Sequence, residues 1–140
     1  MDNNEKAKNA YAKARKGIKL KENEKIVLES KTVWCYTFAL NIPGADIKAH
    51  EKIILELKEP HYSYLFTRDV PGANIKAHEQ VILELKDPQY SYCFAFTIPG
   101  ANIEEHFKVI FNYGDKEYFN AFIKNVNYKG TKVEEWLFYI

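Results

Sequence analysis

The sequence predicts an all-α protein, an αα-solenoid of about four 28-residue helix–turn–helix repeats with capping helices at both ends. Residues 42–69 (IPGADIKAHEKIILELKEPHYSYLFTRD) and 70–97 (VPGANIKAHEQVILELKDPQYSYCFAFT) are identical at eighteen of 28 positions. Each copy combines a Pro-Gly turn with apolar residues at helical spacing. Since such helix pairs bury their apolar faces only against neighbouring copies, a fixed period favours a solenoid.

The repeat extends beyond these two copies. A third copy opens at residue 98 and diverges, and a partial copy with a shortened turn covers 25–41. We therefore expect one helical-repeat domain over 1–140. Its parts are a basic N-terminal cap (1–24), the repeats (25–124) and a C-terminal cap (125–140).

The helices can be justified in chain order. The N-terminal cap carries an apolar stripe of Ala7, Tyr11, Ala14 and Ile18 among lysines. Within a repeat, the first helix opens at an Asp or Asn N-cap, and the third copy adds a capping-box glutamate, Glu105. The second helix opens at an acid followed by proline. These N-caps are Asp46, Asn74 and Asn102, and the acid–proline pairs are Glu59-Pro60 and Asp87-Pro88.

Aromatic residues recur in register and predict core packing between copies. One column is Trp34, Tyr62, Tyr90 and Tyr118, and the other is Phe38, Phe66, Phe94 and Phe122. A capping box from Thr131 to Glu134 opens the last helix, whose apolar face is Val133, Trp136, Leu137 and Ile140.

Composition excludes several classes. The net charge of +1 does not by itself indicate binding to nucleic acid or to a membrane. The charge is uneven, however, because residues 1–25 carry eight basic and four acidic side chains. No apolar run approaches the roughly 20 residues of a membrane span, and the charged N-terminus does not resemble a signal peptide. We therefore expect a cytoplasmic protein without membrane contact, with Cys35 and Cys93 as reduced thiols.

The recurring polar residues suggest chemistry but have a simpler explanation. His50, His78 and His106 could bind metal, yet neighbouring helices pack about 8–10 Å apart, whereas zinc needs nitrogen ligands at about 2.0–2.1 Å. We expect these histidines on the inner stripe, bonded to a tyrosine hydroxyl or a turn carbonyl. The repeated acids are interpreted as caps or as i,i+4 partners of lysines; they are Glu51, Glu56, Glu59, Glu79, Glu84 and Asp87.

No enzyme motif is found. The sequence has no nucleophile elbow, phosphate-binding glycine loop or Cys-x-x-Cys pair. We therefore predict no catalytic residue, no metal, no cofactor and no small-molecule substrate, that is, a non-enzymatic protein.

The phrase PGANIKAHEQVILELKDPQYSY resembles a tandem helical repeat of uncharacterised bacterial and phage proteins. The resemblance covers roughly residues 25–123 and implies an αα-solenoid. It implies no activity, since no catalytic residue is assigned to that repeat. The repeat sequence also resembles, more loosely, the αα-solenoids that serve as binding scaffolds. The third copy departs from the pattern at Glu104, Glu105 and Phe107.

These observations favour a protein that binds a partner protein. Its size and lysine-rich, arginine-poor composition suggest a phage or mobile-element inhibitor of a host defence effector, similar to anti-CRISPR proteins. The alternative is nucleic-acid binding by the basic N-terminal helix, with nucleic acid also reachable through a nucleoprotein target. Candidate binding residues are those that break the repeat register or belong to the caps, namely Lys13, Lys16, Lys19, Arg68, Asp69, Phe96 and Trp136.

Overall fold

The computed structural model describes residues 1–140 and contains ten α-helices and no β-strand. The predicted all-α class is confirmed. The helices are α1 (Asn3–Arg15), α2 (Leu20–Ser30), α3 (Trp34–Asn41), α4 (Ile47–Leu57), α5 (Pro60–Asp69), α6 (Ile75–Leu85), α7 (Pro88–Thr97), α8 (Ile103–Tyr113), α9 (Lys116–Asn125) and α10 (Lys132–Leu137). None of them combines the length and apolar character needed to cross a bilayer.

The chain divides into two compact units. Unit 1 is Met1–Asn74 and holds α1–α5, and unit 2 is Ile75–Ile140 and holds α6–α10. In unit 1 the small side chains of α1 let it pack closely, and the ring of Tyr11 lies 5.6 Å from Trp34 and 6.4 Å from Phe38. In unit 2 the core centres on Phe107, whose ring lies 5.4 Å from that of Phe122.

The predicted helix starts are largely confirmed. Asp46 accepts a hydrogen bond from the Ala49 N–H at 3.2 Å, and Asn102 accepts one from the Glu105 N–H at 3.3 Å. Asp87 caps α7 in the same way, by accepting from Tyr90. Glu59 precedes α5 but makes no side-chain cap bond. Only half of the capping box at Glu105 forms, because the Asn102 N–H donates to Glu79 and the Glu105 carboxylate accepts from Lys108 Nζ.

The first helix of several copies ends on a lysine in the left-handed region. Lys31, Lys58 and Lys86 have φ of 54°, 52° and 54°, a conformation that costs a side chain with a Cβ about 1–2 kcal/mol. Gly114 stands at the corresponding place in the third copy, yet its φ is −85°. The sequence pattern did not predict these strained lysines.

The buried residues match one predicted column fully and the other partly. Phe38, Phe66, Phe94 and Phe122 are at most 1% exposed, whereas Trp34, Tyr62, Tyr90 and Tyr118 are only half-buried. Two predicted apolar positions are wrong. Ile18 lies beyond the end of α1 and is 47% exposed, and Ile140 lies beyond α10 and is 67% exposed.

Candidate interaction surfaces

The repeated histidines His50, His78 and His106 are buried, and His50 and His106 bond to glutamates. In unit 1, His50 is fully buried on α4, and its Nε2 lies 2.9 Å from Oε2 of Glu24 on α2. The same oxygen accepts from the backbone N–H of Asp46 at 2.8 Å. The ring of His50 stacks on Phe38 at 4.9 Å. One carboxylate therefore holds both the histidine and the start of α4.

Unit 2 repeats this geometry. Oε2 of Glu79 lies 2.9 Å from His106 Nε2 and accepts from the Asn102 N–H at 2.6 Å. The ring of His106 stacks on Phe94 at 5.2 Å. The prediction of buried histidines is confirmed, but their predicted partners, a tyrosine hydroxyl or a turn carbonyl, are wrong. Glu79 was predicted to be a cap or a lysine partner. It pairs with no lysine, and its buried carboxylate instead accepts from the N–H of Asn102, the N-cap of α8, which is a later helix than its own.

Burial lowers the pKa of His50 below its ordinary value, although the Glu24 carboxylate opposes this effect. With Nε2 donating to Glu24, the imidazole carries its proton on that nitrogen. Its buried Nδ1 has no hydrogen-bonding partner in the protein. A second proton on Nδ1 would therefore place an unpaired N–H in the core.

The sequence carried a signal for this arrangement that residue-by-residue reasoning missed. The dipeptide at the equivalent position reads Asn23-Glu24, then His50-Glu51, His78-Glu79 and finally His106-Phe107. The stretch just before the partial copy thus has the glutamate without the histidine, and the third copy has the histidine without the glutamate. Asn23 instead donates to the Ile18 carbonyl at 2.8 Å, and Phe107 packs 6.1 Å from Trp136.

The described residues include no group of three or more His, Cys, Asp or Glu side chains that could hold a metal ion. The Cys35 thiol is buried, and desolvation raises its pKa to about 12. A thiol in that state is a poor nucleophile.

Arg68 and Asp69 in unit 1 form a bidentate ion pair. Arg68 Nε and Nη2 donate to the two carboxylate oxygens of Asp69 at 2.7 and 2.9 Å. This pairing raises the pKa of Arg68 and lowers that of Asp69. The Tyr36 hydroxyl also donates to Asp69 at 2.5 Å. Asp69 thus connects α5 to α3, and of this predicted pair Arg68, 44% exposed, is the more available to a partner.

Phe96 in unit 2 is 55% exposed, and its ring stacks parallel to Tyr92 at 5.8 Å. The Tyr92 hydroxyl accepts from Asn125 Nδ2 at 2.8 Å, across the same separation of 33 residues as Tyr36 and Asp69. Phe96 therefore presents a large apolar surface on α7, a helix that the Tyr92–Asn125 hydrogen bond connects to α9. The predicted role of Phe96 in binding a partner stays a prediction.

The lysines predicted to bind a partner lie at the end of α1 and in the turn that leads to α2. Lys13 lies in the last turn of α1, Lys16 caps it, and Lys19 precedes α2. Lys19 makes an ion pair with Glu22 at 3.9 Å, in which both side chains are 72% exposed. Such an exposed pair contributes little and leaves the positive charge accessible.

Trp136 belongs to an apolar groove at the end of unit 2, here called the C-terminal groove. The groove has a volume of about 250 Å³ and is lined by Phe107, Lys108, Phe111, Trp136 and Ile140. Lys108 Nζ lies 5.5 Å from the centre of the Trp136 ring and 3.1 Å from Glu105. Phe111 and Ile140 of this lining are 52% and 67% exposed, and Phe138 and Tyr139, which directly precede Ile140 in the chain, are 86% and 80% exposed.

Sequence reasoning found Trp136 but missed the rest of this surface. It placed Ile140 on a buried helix face and did not single out Phe111 or Phe138. The available signal was Phe107 itself, an aromatic residue where the other copies carry glutamate.

Comparison of the chain with models of protein families, with curated proteins and with solved structures finds no match.

Proposed function

We propose that this is a non-enzymatic helical-repeat protein that binds a partner protein through the C-terminal groove. The observation that carries the proposal is the concentration of exposed aromatic and aliphatic side chains at one end of unit 2. Exposed apolar patches on a folded protein are typical of interaction sites.

The composition of the groove fits protein recognition. Aromatic residues such as Phe111 and Trp136 are enriched in the centres of protein interfaces, and a polar rim surrounds such centres. Lys108 and Glu105 supply polar groups at this rim. A volume of about 250 Å³ suits one or two apolar side chains of a partner rather than a cofactor.

We further propose that the repeats form an αα-solenoid. Support comes from the 28-residue period and from the agreement of the glutamate–histidine geometry in unit 1 and in unit 2. In a solenoid each copy contacts its neighbours through equivalent residues. Phe107, which replaces the glutamate, then marks the copy that meets the C-terminal cap.

The proposal is tested by affinity purification from the native host with the wild-type chain and two matched variants. Phe111 and Phe96 are both phenylalanines of unit 2, exposed by 52% and 55%. We expect Phe111→Ser to lose the partner and Phe96→Ser to retain it. Ile140→Ser, a groove variant in a more exposed residue, should behave like Phe111→Ser, and circular dichroism checks that all variants fold.

Loss of the partner with Phe96→Ser alone would place the interface on α7 and contradict the proposal. Retention by all three variants would also contradict it. Identification of the captured protein decides the narrower hypothesis, in which the partner is a host defence effector and the chain inhibits it.

A further inference from the structure

The turn between α1 and α2 combines positive charge with exposed aliphatic side chains. Residues 13–21 read KARKGIKLK and carry five basic and no acidic side chains. Ile18 and Leu20, which alternate with the lysines, are 47% and 44% exposed. We propose that this basic turn, residues 13–21, docks on an anionic lipid surface.

The predicted absence of membrane contact rested on the lack of a membrane-spanning run, which does not exclude docking on a lipid surface. The alanine-rich stripe of α1 is not available to lipid, because it is buried in unit 1, with Ala7, Ala10, Tyr11 and Ala14 at most 8% exposed. The aliphatic side chains available to lipid lie after the helix end, at Ile18 and Leu20.

The turn is held in a defined conformation. The Gly17 and Ile18 N–H groups donate to the carbonyls of Ala14 and Lys13, which is the Schellman pattern of a helix end. Gly17 has φ +80°, as this pattern requires. The nearly buried Asn23 donates to the Ile18 carbonyl at 2.8 Å. The exposure of Ile18 is therefore a feature of an ordered turn.

This combination favours lipid over nucleic acid. Lysines would contact phosphate in either case, but single-stranded nucleic acids are bound by stacking on aromatic rings. The one aromatic residue of α1 and α2 is Tyr11, which is buried. Interfacial anchoring instead combines basic residues with apolar side chains that enter the headgroup region.

The test is flotation of the full-length protein with vesicles of phosphatidylcholine alone and of phosphatidylcholine with phosphatidylglycerol. Binding is expected only to the anionic vesicles. Lys16→Gln with Lys19→Gln should weaken binding about 25-fold, at about fivefold per cation. Ile18→Ser with Leu20→Ser should weaken it about tenfold, through lost apolar burial.

Matched controls come from unit 2. Leu85→Ser removes an aliphatic side chain that is 42% exposed, and Lys124→Gln with Lys129→Gln removes two exposed cations. Both should bind as wild type. A parallel measurement with labelled single- and double-stranded DNA and RNA covers the other polyanion.

Three results would overturn the proposal. One is the absence of binding to anionic vesicles. The second is binding that depends on Lys16 and Lys19 but not on Ile18 and Leu20, which indicates charge attraction alone. The third is tighter binding to nucleic acid than to vesicles with no effect of the aliphatic variants, which would restore the nucleic-acid hypothesis for α1.

Discussion

Removal of the Glu79 carboxylate is the sharpest test of the glutamate–histidine arrangement. Its Oε2 accepts from the Asn102 N–H at 2.6 Å and pairs with His106 Nε2 at 2.9 Å, and the His106 side chain is fully buried. A buried donor that loses its acceptor costs about 1–3 kcal/mol. Two such donors predict that Glu79→Ala lowers the free energy of unfolding by about 4 kcal/mol.

The assay is urea denaturation followed by circular dichroism. Glu84→Ala is the control, because Glu84 lies on the same helix, is exposed and bonds only to Gln80 at 3.1 Å. It should change the stability by less than about 0.5 kcal/mol. Glu79→Gln, which keeps one acceptor oxygen, should fall between the two. If Glu79→Ala and Glu84→Ala proved equally stable, the structural role of the carboxylate would be refuted.

Three further predictions follow from backbone strain and from two pKa shifts. Lys58→Gly should raise the free energy of unfolding, measured by urea denaturation, by about 1 kcal/mol, because glycine adopts the φ of 52° without strain. Lys52→Gly, within α4, should lower the free energy of unfolding by about 1 kcal/mol. Equal changes in the two variants would contradict the assignment of strain to Lys58. Burial lowers the pKa of His50, so the unfolded chain binds the proton more tightly than the folded chain. The free energy of unfolding should therefore fall as the pH drops below about 6.5. His50→Gln should weaken this pH dependence in urea titrations, and an unchanged slope of the free energy of unfolding against pH would exclude His50 as its source. The buried Cys35 thiol, with its pKa raised to about 12, should not react with iodoacetamide at neutral pH until urea unfolds the chain. Peptide mass spectrometry measures the labelling. Labelling of Cys35 in the folded chain would contradict its burial.

Local features of the sequence predicted the helices well. The cap residues Asp46, Asp87 and Asn102 each accept a hydrogen bond from their own helix. The start of each helix can therefore be predicted from a few consecutive residues. The burial of Phe38 and His50 followed from helical periodicity in the same way. These are properties of a single helix and its ends.

Contacts between successive copies could not be read from one helix. Glu24 meets His50 from 26 residues away, and Glu79 meets His106 from 27. Each glutamate therefore looks exposed on its own helical wheel but faces the start of a later helix. A comparison of the copies position by position, in particular of Glu79 with Phe107, would have indicated that the glutamate contacts the next copy.

The surfaces were predicted only in part. Lys13, Lys16 and Lys19 stood out by charge, but the exposure of Ile18 depends on where α1 ends, at Arg15. Ile140 was placed on a helix that stops at Leu137. Because helix ends are the least certain part of a sequence prediction, the residues just beyond them were assigned to the core.

Photo-crosslinking from the C-terminal groove tests the proposed function most directly. A photoreactive phenylalanine analogue replaces Ile140 in one protein and Phe96 in another, and both are irradiated in host cells. We expect one discrete crosslinked protein from position 140 and none from position 96. No adduct from position 140, or the same adducts from both positions, would contradict it.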